Sequence, residues 1–228
     1  MSIKYRKDHI PKGTANNRRP GIAMQATTIT IHNTGNQSSS AANERGWLTN
    51  PTNNRQASFH IAIDEREAVE CIPLNENAWH AGDGSVVSSG NRTSIGIEIC
   101  ESGNYAQTLE NAVDLVAKML KERGWGVDRL KRHYDWSRKI CPRLMYDGGS
   151  WTGWDLFKAA VIAKLDLTYN NKEDEAMEKA NVIVNGKKIK DGVLINGETF
   201  VPLRAVGESI GAKISWNNQI KTATLDTQ

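Results

Sequence analysis

Short runs of alternating apolar and polar residues constrain the fold of this chain more than any other feature. The run TTITIH at 27–32 places its isoleucines on one face of a predicted strand and His32 on the other. The run SIGIEIC at 94–100 likewise points its isoleucines inward and sets Glu98 opposite, and SFHIAI at 58–63 is a third candidate. The three runs predict a central sheet with a histidine and a glutamate on its second face.

Helical periodicity appears between and after these runs. Apolar residues recur at intervals of three and four over 107–123, and Gly124 follows as a stop signal. Further helices are predicted at 154–165 and at 41–48. Because strands and helices alternate, the predicted fold class is α/β, with a mixed central β-sheet flanked by helices.

The composition changes after Leu165. The segment YNNKEDEAMEK at 169–179 is polar and charge-dense and is typical of a linker. Beyond it, the Asn-Gly pairs at 185–186 and 196–197 predict hairpins, and Pro202 opens a brief helix before two more strands. The predicted domains are a catalytic domain over 1–165, a linker over 166–180 and a small α+β domain over 181–228.

Charge and hydropathy exclude several classes of protein. A net charge of +3 suits contact with an anionic polymer but falls short of the basic footprint of a nucleic-acid-binding protein. No stretch reaches the roughly 20 apolar residues needed to span a bilayer, and MSIKYRKDHI lacks the apolar core of a secretory signal. We expect a soluble chain made in the cytoplasm, with neither nucleic acid nor membrane as partner.

Three side chains form a candidate metal site: His32, His133 and Cys141. Two imidazoles and one thiolate are a ligand set that zinc uses when a fourth position stays open, as in catalytic sites. Spacing alone leaves open that any one of them is an ordinary buried histidine or cysteine. Cys71 and Cys100 stand in strand-like surroundings and are predicted to be buried, reduced thiols.

Four segments, in the order TITIHNTG, ENAWHAGDG, SIGIEIC and LKRHYDWSRKICPRLM, carry a resemblance to a known family. Over residues 22–165 the chain resembles the zinc-dependent N-acetylmuramoyl-L-alanine amidases, which include phage endolysins and the peptidoglycan recognition proteins. The resemblance implies hydrolysis of the amide bond between N-acetylmuramic acid and L-alanine of the peptidoglycan stem peptide, by a zinc-activated water. Since no secretory signal is recognised, we expect action on the cell wall after release or lysis, which favours a phage or prophage origin and leaves a chromosomal one open.

The resemblance assigns roles position by position. It implies that His32, His133 and Cys141 bind Zn²⁺, that Glu98 moves the proton of the attacking water and that Lys139 stabilises the oxyanion. It further places four residues at the substrate: Thr34, Phe59, His60 and His80. Core packing for Phe59 and an ordinary hydrogen-bonded histidine for His60 stay open as alternatives.

The C-terminal sequence, with FVPLRAVGESIGAKISW, resembles the small repeat named after the copper amine oxidase N-terminal domain. No histidine or cysteine lies beyond Cys141, so nothing indicates that this segment binds copper. Binding to the cell wall is the expected role, and a spacer or a dimerisation unit is the alternative.

Two other functions stay open. A peptidoglycan-binding protein without activity is expected to lack the cysteine ligand, whereas Cys141 is present. A thiol peptidase would use Cys141 as a nucleophile beside His133, but the local signatures of the papain-like class are missing.

Overall fold

The structure is a computed structural model that describes residues 3–176, 178–195, 197–217, 219 and 221–227. The chain divides into two compact units, Met1–Leu165 and Asp166–Gln228.

A six-stranded mixed sheet forms the centre of the first unit, in the order β1-β4-β3-β5-β2-β6. Only β3 and β4 pair antiparallel, and the other neighbours run parallel. This confirms the predicted α/β class with a mixed central sheet. The strands are β1 Lys4–Lys7, β2 Thr28–Asn33, β3 Ile61–Ile63, β4 Glu67–Glu70, β5 Ser94–Ile99 and β6 Leu130–Arg132.

The alternating pattern of β2 and β5 decides which face of the sheet becomes the main core. The isoleucines of both strands are fully buried and pack with the apolar faces of two long helices. Burial of an isoleucine side chain contributes roughly 1.5–3 kcal/mol to stability. A register shift of one residue would turn these side chains to the other face of the sheet and lose several such contributions. The isoleucines that β2 and β5 contribute to this core are Ile29, Ile31, Ile95, Ile97 and Ile99.

The opposite face carries a smaller apolar cluster that includes Phe59, Ala62, Cys71 and Cys100. Both of these cysteines are free and fully buried, as predicted. The same face also presents His32 and Glu98, because each lies at an odd step from its buried isoleucines.

Five helices belong to the chain up to residue 176: α1 Ala41–Trp47, α2 Gly90–Thr93, α3 Tyr105–Arg123, α4 His133–Ser137 and α5 Thr152–Ala176. Three short 3₁₀ turns lie at Ala15–Asn17, Val127–Arg129 and Arg143–Met145. The predicted end of α3 is confirmed, since Gly124 adopts a left-handed φ of 64° and closes the helix.

Helix α5 is longer than the sequence pattern predicted. It continues to Ala176, through much of the segment expected to be an irregular linker. The segment contains neither glycine nor proline and is rich in residues that tolerate a helix, so backbone propensity continues it after apolar periodicity has ended.

Beyond the end of α5, the described residues of the second unit form short strands and one helix. Its strands are β7 Glu178–Ala180, β8 Ile183–Val184, β9 Lys187–Lys188, β10 Gly192–Ile195, β11 Glu198–Phe200, β12 Lys213–Asn217 and β13 Thr222–Asp226, with α6 at Leu203–Ser209. They form the sheets β11-β10-β7, β12-β13 and β8-β9.

The first predicted hairpin of this unit is confirmed by the pairing of β8 and β9. Asn185 and Gly186 both have positive φ, 47° and 77°, as a two-residue primed turn requires. The second hairpin is confirmed by the pairing of β10 with β11, although Asn196 itself lies outside the described residues. Among the described helices, none is both long and apolar enough to cross a bilayer.

Candidate metal centre and active site

The candidate site lies at the carboxyl ends of three neighbouring parallel strands. His32 is the penultimate position of β2 and pairs in register with Glu98 of β5. On the other side of β2, Ile31 pairs with Arg132, and His133 follows directly as the first residue of α4. Parallel strands present their carboxyl ends at one edge, so residues remote in sequence meet there.

The structure brings the three predicted metal ligands together. The Nδ1 atoms of His32 and His133 are 3.1 Å apart, and the Sγ of Cys141 lies 3.6 Å from Nδ1 of His32. The ligand atoms of the three residues all lie within 4.8 Å of one another. Tetrahedral zinc would separate such atoms by about 3.3–3.6 Å. The separation between His32 and Cys141 lies in this range and that between His32 and His133 is slightly shorter, and two imidazoles and a thiol whose ligand atoms lie within 4.8 Å of one another are a donor set that fits a zinc ion.

A reversal of the backbone returns Cys141 to the site. Helix α4 ends at Ser137, and the left-handed φ of 63° at Arg138 turns the chain. The Cys141 carbonyl then accepts a hydrogen bond from the backbone N–H of Tyr134 at 3.2 Å. The Asn33 side-chain oxygen accepts a hydrogen bond from Leu144 N at 3.0 Å and so ties the segment after Cys141 to the end of β2.

An ion pair also anchors the segment that follows Cys141. Arg143 donates from Nε to Glu101 at 2.8 Å and makes a second contact through Nη2. The same carboxylate accepts from the backbone N–H of Gly35 at 2.9 Å. Glu101 thus connects the loop after His32 to the loop after Cys141.

Burial controls the protonation of the three candidate ligands. Desolvation lowers the pKa of His32 well below its usual value and, with the charge of Lys139, lowers the pKa of His133 to about 4. Neutral imidazoles are the form that binds a metal. Burial and then the charge of Glu98 raise the pKa of the Cys141 thiol to about 12.

The raised pKa of the thiol bears on the thiol peptidase alternative. A nucleophilic cysteine requires a pKa lowered by its surroundings, so that the thiolate is present near neutral pH. Here Cys141 is 4% exposed and its pKa moves the other way. The surroundings suit a ligand that gives up its proton to a cation rather than a free nucleophile.

Glu98 lies beside the ligand cluster with an unsatisfied oxygen. Its Oε2 is buried and has no hydrogen-bond partner among the described residues. Desolvation, and then the charge of Glu44, raise the pKa of Glu98 to about 8, against an opposing effect of Lys139. A buried carboxylate oxygen without a partner next to three metal-type ligands is a feature of a site that binds something further.

Lys139 is exposed at the rim of this cluster. Its positive charge lowers the pKa of His32, His133, Glu98 and Cys141 alike. The ammonium of Lys139 therefore contributes a positive potential at the groups of the candidate site.

Three of the predicted substrate residues, Phe59, His60 and His80, are buried in the structure. Phe59 is 8% exposed and belongs to the second apolar cluster. His60 is fully buried, donates from Nε2 to the Glu76 carbonyl at 2.8 Å and accepts from Gly96 N at 2.9 Å. His80 is 7% exposed and contacts His32 instead of an open surface.

Thr34, the fourth predicted substrate residue, is half-buried at an open cleft of about 420 Å³. Thr34 follows His32 by two residues, so the cleft opens close to the end of β2. Sequence reasoning assigned no role to Glu44 or to Trp47, which is 45% exposed, although a tryptophan on the outer side of the predicted helix at 41–48 could have been noticed. The cleft is lined by Thr34, Asn36, Ser38, Ser39, Asn43, Glu44 and Trp47.

Comparisons with known sequences agree with this geometry. A profile of the N-acetylmuramoyl-L-alanine amidase family matches residues 22–144, and one of the copper amine oxidase N-terminal domain matches residues 183–228. The chain is 39% identical over 192 residues to the N-acetylmuramoyl-L-alanine amidase CwlA of Bacillus subtilis (strain 168), covering 82% of this chain and 69% of that protein. It is 44% identical over 170 residues to the amidase XlyB of the same organism, covering 73% of this chain but only 51% of XlyB.

Solved structures give the same result for the fold. The catalytic domain of XlyA aligns with a TM-score of 0.62 at 42% sequence identity and covers 70% of this chain and 99% of that domain. PlyL aligns with a TM-score of 0.60 at 34% identity and covers 71% of this chain and 97% of its own. The chain belongs to the N-acetylmuramoyl-L-alanine amidase family.

Proposed function

We propose that this protein hydrolyses the amide bond between N-acetylmuramic acid and L-alanine in bacterial peptidoglycan, with zinc held by His32, His133 and Cys141. The observation that carries the proposal is the convergence of these ligand atoms within 4.8 Å, beside a buried carboxylate oxygen that has no partner among the described residues. The curated relatives named above are N-acetylmuramoyl-L-alanine amidases.

The metal and the protein divide the chemistry. Zinc in such a site lowers the pKa of a water to about 7 and polarises a carbonyl. The protein supplies two neutral imidazoles and a thiolate, excludes solvent around them and adds groups that handle protons and charge. His32, His133 and Cys141 are each less than 10% exposed, which supports a ligand set protected from bulk water.

Glu98 is proposed to move the proton. Its carboxylate accepts a proton from the attacking water and delivers it to the nitrogen of L-alanine as the amide breaks. The products are a muramic acid carboxylate and a free peptide amine, so one water is consumed and no other reactant is needed. The raised pKa of about 8 matches a group that must both take and give a proton near neutral pH.

Lys139 is proposed to stabilise the negative charge that develops on the carbonyl oxygen. The ammonium is exposed, yet its field reaches all the groups of the cluster. A positive charge aimed where an oxyanion forms lowers the barrier to amide hydrolysis by several kcal/mol at most, by analogy with oxyanion-hole donors worth about 3–4 kcal/mol.

The substrate is proposed to lie in the cleft beside Glu98, with Thr34 as a hydrogen-bonding contact. The cleft is open and polar, with an exposed tryptophan on its wall, which suits an extended glycopeptide. The second unit is proposed to bind the cell wall and hold the enzyme on its polymeric substrate. Action on the wall after release or lysis is part of the same proposal.

The deciding experiment digests purified peptidoglycan with the protein as prepared, after chelation, and after zinc is added back, with products identified by mass spectrometry. Stem peptides that begin with a free alanine amine, lost on chelation and restored by zinc, support the proposal. Absence of cleavage under all conditions would favour a binding protein. Cleavage within the stem peptide that resists chelation and is lost on alkylation would favour a thiol peptidase.

A further inference from the structure

His80 makes two hydrogen bonds that together fix where its proton lies. Its Nε2 is 3.0 Å from the carbonyl oxygen of Ser94, and its Nδ1 is 3.1 Å from Nε2 of His32. A carbonyl oxygen only accepts hydrogen bonds, so Nε2 of His80 must carry the hydrogen. A neutral imidazole has one N–H and one lone pair, so Nδ1 of His80 is then the acceptor.

A doubly protonated His80 does not fit its surroundings. The ring is buried, and within the described residues it hydrogen-bonds only to a carbonyl and to another imidazole. A buried positive charge without a carboxylate partner is costly. The neutral Nε2–H form is therefore the one that the contacts accommodate.

The tautomer of His80 determines the tautomer of His32, because the two rings share a hydrogen bond. Because Nδ1 of His80 accepts, Nε2 of His32 must donate and carries the hydrogen of that ring. The lone pair of His32 is then on Nδ1, the atom that faces Nδ1 of His133 and Sγ of Cys141. In the other tautomer, an N–H would point into the space where the ligand atoms converge.

The chain after His80 also passes close to the second histidine. Nδ1 of His133 faces Nδ1 of His32, and Nε2 of His133 lies beside Gly82, where an added Cβ would be 3.3 Å away.

The position of His80 is itself tightly held. Its backbone N–H and that of Ala81 both donate to Oδ1 of Asn91, each at 2.7 Å. Gly96 of β5 leaves room for the ring, since a Cβ at that position would lie 2.6 Å from Cγ of His80. Neither the tight fit nor the carbonyl anchor would be needed by a side chain that merely fills the core.

We infer that His80 is a positioning residue that holds His32 in the Nε2–H tautomer and thereby leaves Nδ1 free to bind the metal. The inference rests on the proposed metal site. Histidine ligands are commonly oriented by a partner on their second nitrogen, and loss of such a partner typically costs 10–100-fold in metal affinity.

The first test measures the tautomer without metal or activity. Two-dimensional NMR of the ¹⁵N-histidine-labelled, metal-free protein distinguishes N–H from lone-pair nitrogens in each ring. We expect His32 and His80 both to be protonated on Nε2 and not on Nδ1. Protonation of His32 on Nδ1 in the wild-type chain would overturn the inference.

The second test uses a pair of substitutions that separate the two nitrogens of the ring. Asparagine in His80→Asn can place an amide oxygen near the position of Nδ1 and keep accepting from His32. Glutamine in His80→Gln reaches the Nε2 position and keeps the contact with Ser94. It places no acceptor at the Nδ1 position, so Nε2–H of His32 loses its partner. Measured by competition with a chromogenic chelator, zinc affinity is expected to fall about 10–100-fold in His80→Gln and no more than a few-fold in His80→Asn.

Two further variants control this comparison. Gly96→Ala keeps His80 but displaces its ring, so it is expected to weaken zinc binding as His80→Gln does. His9→Gln replaces a histidine that pairs with Glu70 of β4, on the far side of β3 from β5, and should bind zinc normally. Equal zinc affinities for wild type and His80→Gln would refute the role of His80, whereas a wild-type chain that binds no zinc would refute the proposed site itself.

Discussion

Nδ1 of His32 lies 3.1 Å from Nδ1 of His133, although 101 positions separate the two residues in the sequence. Each follows from strand pairing, because β2 carries His32 and β6 delivers His133 at the same edge of the sheet. The site therefore exists only when these strands are paired. This relationship makes metal binding dependent on the fold, and loss of any ligand should be visible as loss of metal.

His133→Ala and Cys141→Ser are each expected to lose zinc and at least 100-fold in activity. Alanine removes a ligand atom, and a serine hydroxyl is a poor replacement for a thiolate. Metal content by mass spectrometry of the purified protein, together with release of stem peptides, measures both effects. His9→Gln serves as the matched control. Full turnover by a zinc-free variant would show that the chemistry needs no metal.

Glu98→Gln is expected to keep zinc and to lower turnover by roughly 10²-fold or more, because glutamine cannot accept the proton of the water. Glutamine keeps the size and polarity of the side chain, so the neighbouring ligands are left in place. Metal content and single-turnover cleavage of a soluble muropeptide give the two measurements. Unchanged turnover would assign the proton transfer to another group.

The pKa of Glu98 also predicts how stability depends on pH in the metal-free protein. The folded chain raises the pKa of this carboxyl from an ordinary 4.5 to about 8. Between these values the folded state binds the proton more tightly than the unfolded state, so this group lowers the free energy of unfolding as pH rises through the window. The penalty is absent below about pH 4.5 and complete above about pH 8.

Glu98→Gln removes this titration and should stabilise the metal-free protein at high pH. We expect a gain on the order of 2 kcal/mol at about pH 9 and little difference at about pH 4.5, measured by urea unfolding with chelator present. Chelator matters because a bound cation would favour the carboxylate. A gain that is the same at both pH values would indicate a packing effect of glutamine rather than loss of the buried charge.

Asp64 is expected to be a strong contributor to the stability of the first unit. It is 1% exposed and accepts hydrogen bonds from three backbone N–H groups, those of Ala41 at 2.9 Å and of Arg66 and Glu67 at 2.8 Å. Asp64→Ala leaves these donors without their acceptor and should cost about 3 kcal/mol. Asp64→Asn keeps one oxygen and should lower the free energy of unfolding by less. Thermal and urea unfolding of the wild type and both variants would measure these differences.

Removal of the second unit tests its proposed role on the wall. A chain that ends at Ala176 keeps α5 whole, whereas a cut at the boundary of the two units would interrupt that helix. We expect it to cleave soluble muropeptide at the full rate and to sediment less with insoluble cell walls. Equal binding to walls by the shortened and full-length chains would leave the second unit as a spacer.

Long alternating and helical patterns in the sequence predicted their elements well. β2, β5 and α3 occur where the pattern placed them, because each buries a continuous apolar stripe. β1 and β6 were missed, since four and three residues are too few to establish a period. The length of α5 was missed for the opposite reason, because its second half is helical without an apolar stripe.

The candidate site was predictable to the extent that local motifs carry it. His32, His133 and Cys141 do converge. The surroundings of His60 and His80 were not predictable, because a strand pattern does not reveal which loop covers a face or which carbonyl a ring meets. Their hydrogen bonds to Glu76 and Ser94 come from loop and strand positions that only the tertiary structure brings near.

Because β6 is a short edge strand, the proposed zinc ion would also stabilise the fold at this edge of the sheet. With three residues and a single neighbour, β6 has little backbone pairing of its own to hold it to the sheet. An ion shared by His32 of β2 and by His133, directly after β6, would fasten the outermost strand to its neighbour and anchor the loop that ends in Cys141. Removal of the ion by a chelator would then weaken the attachment of β6 and of the loop that ends in Cys141, in addition to abolishing hydrolysis.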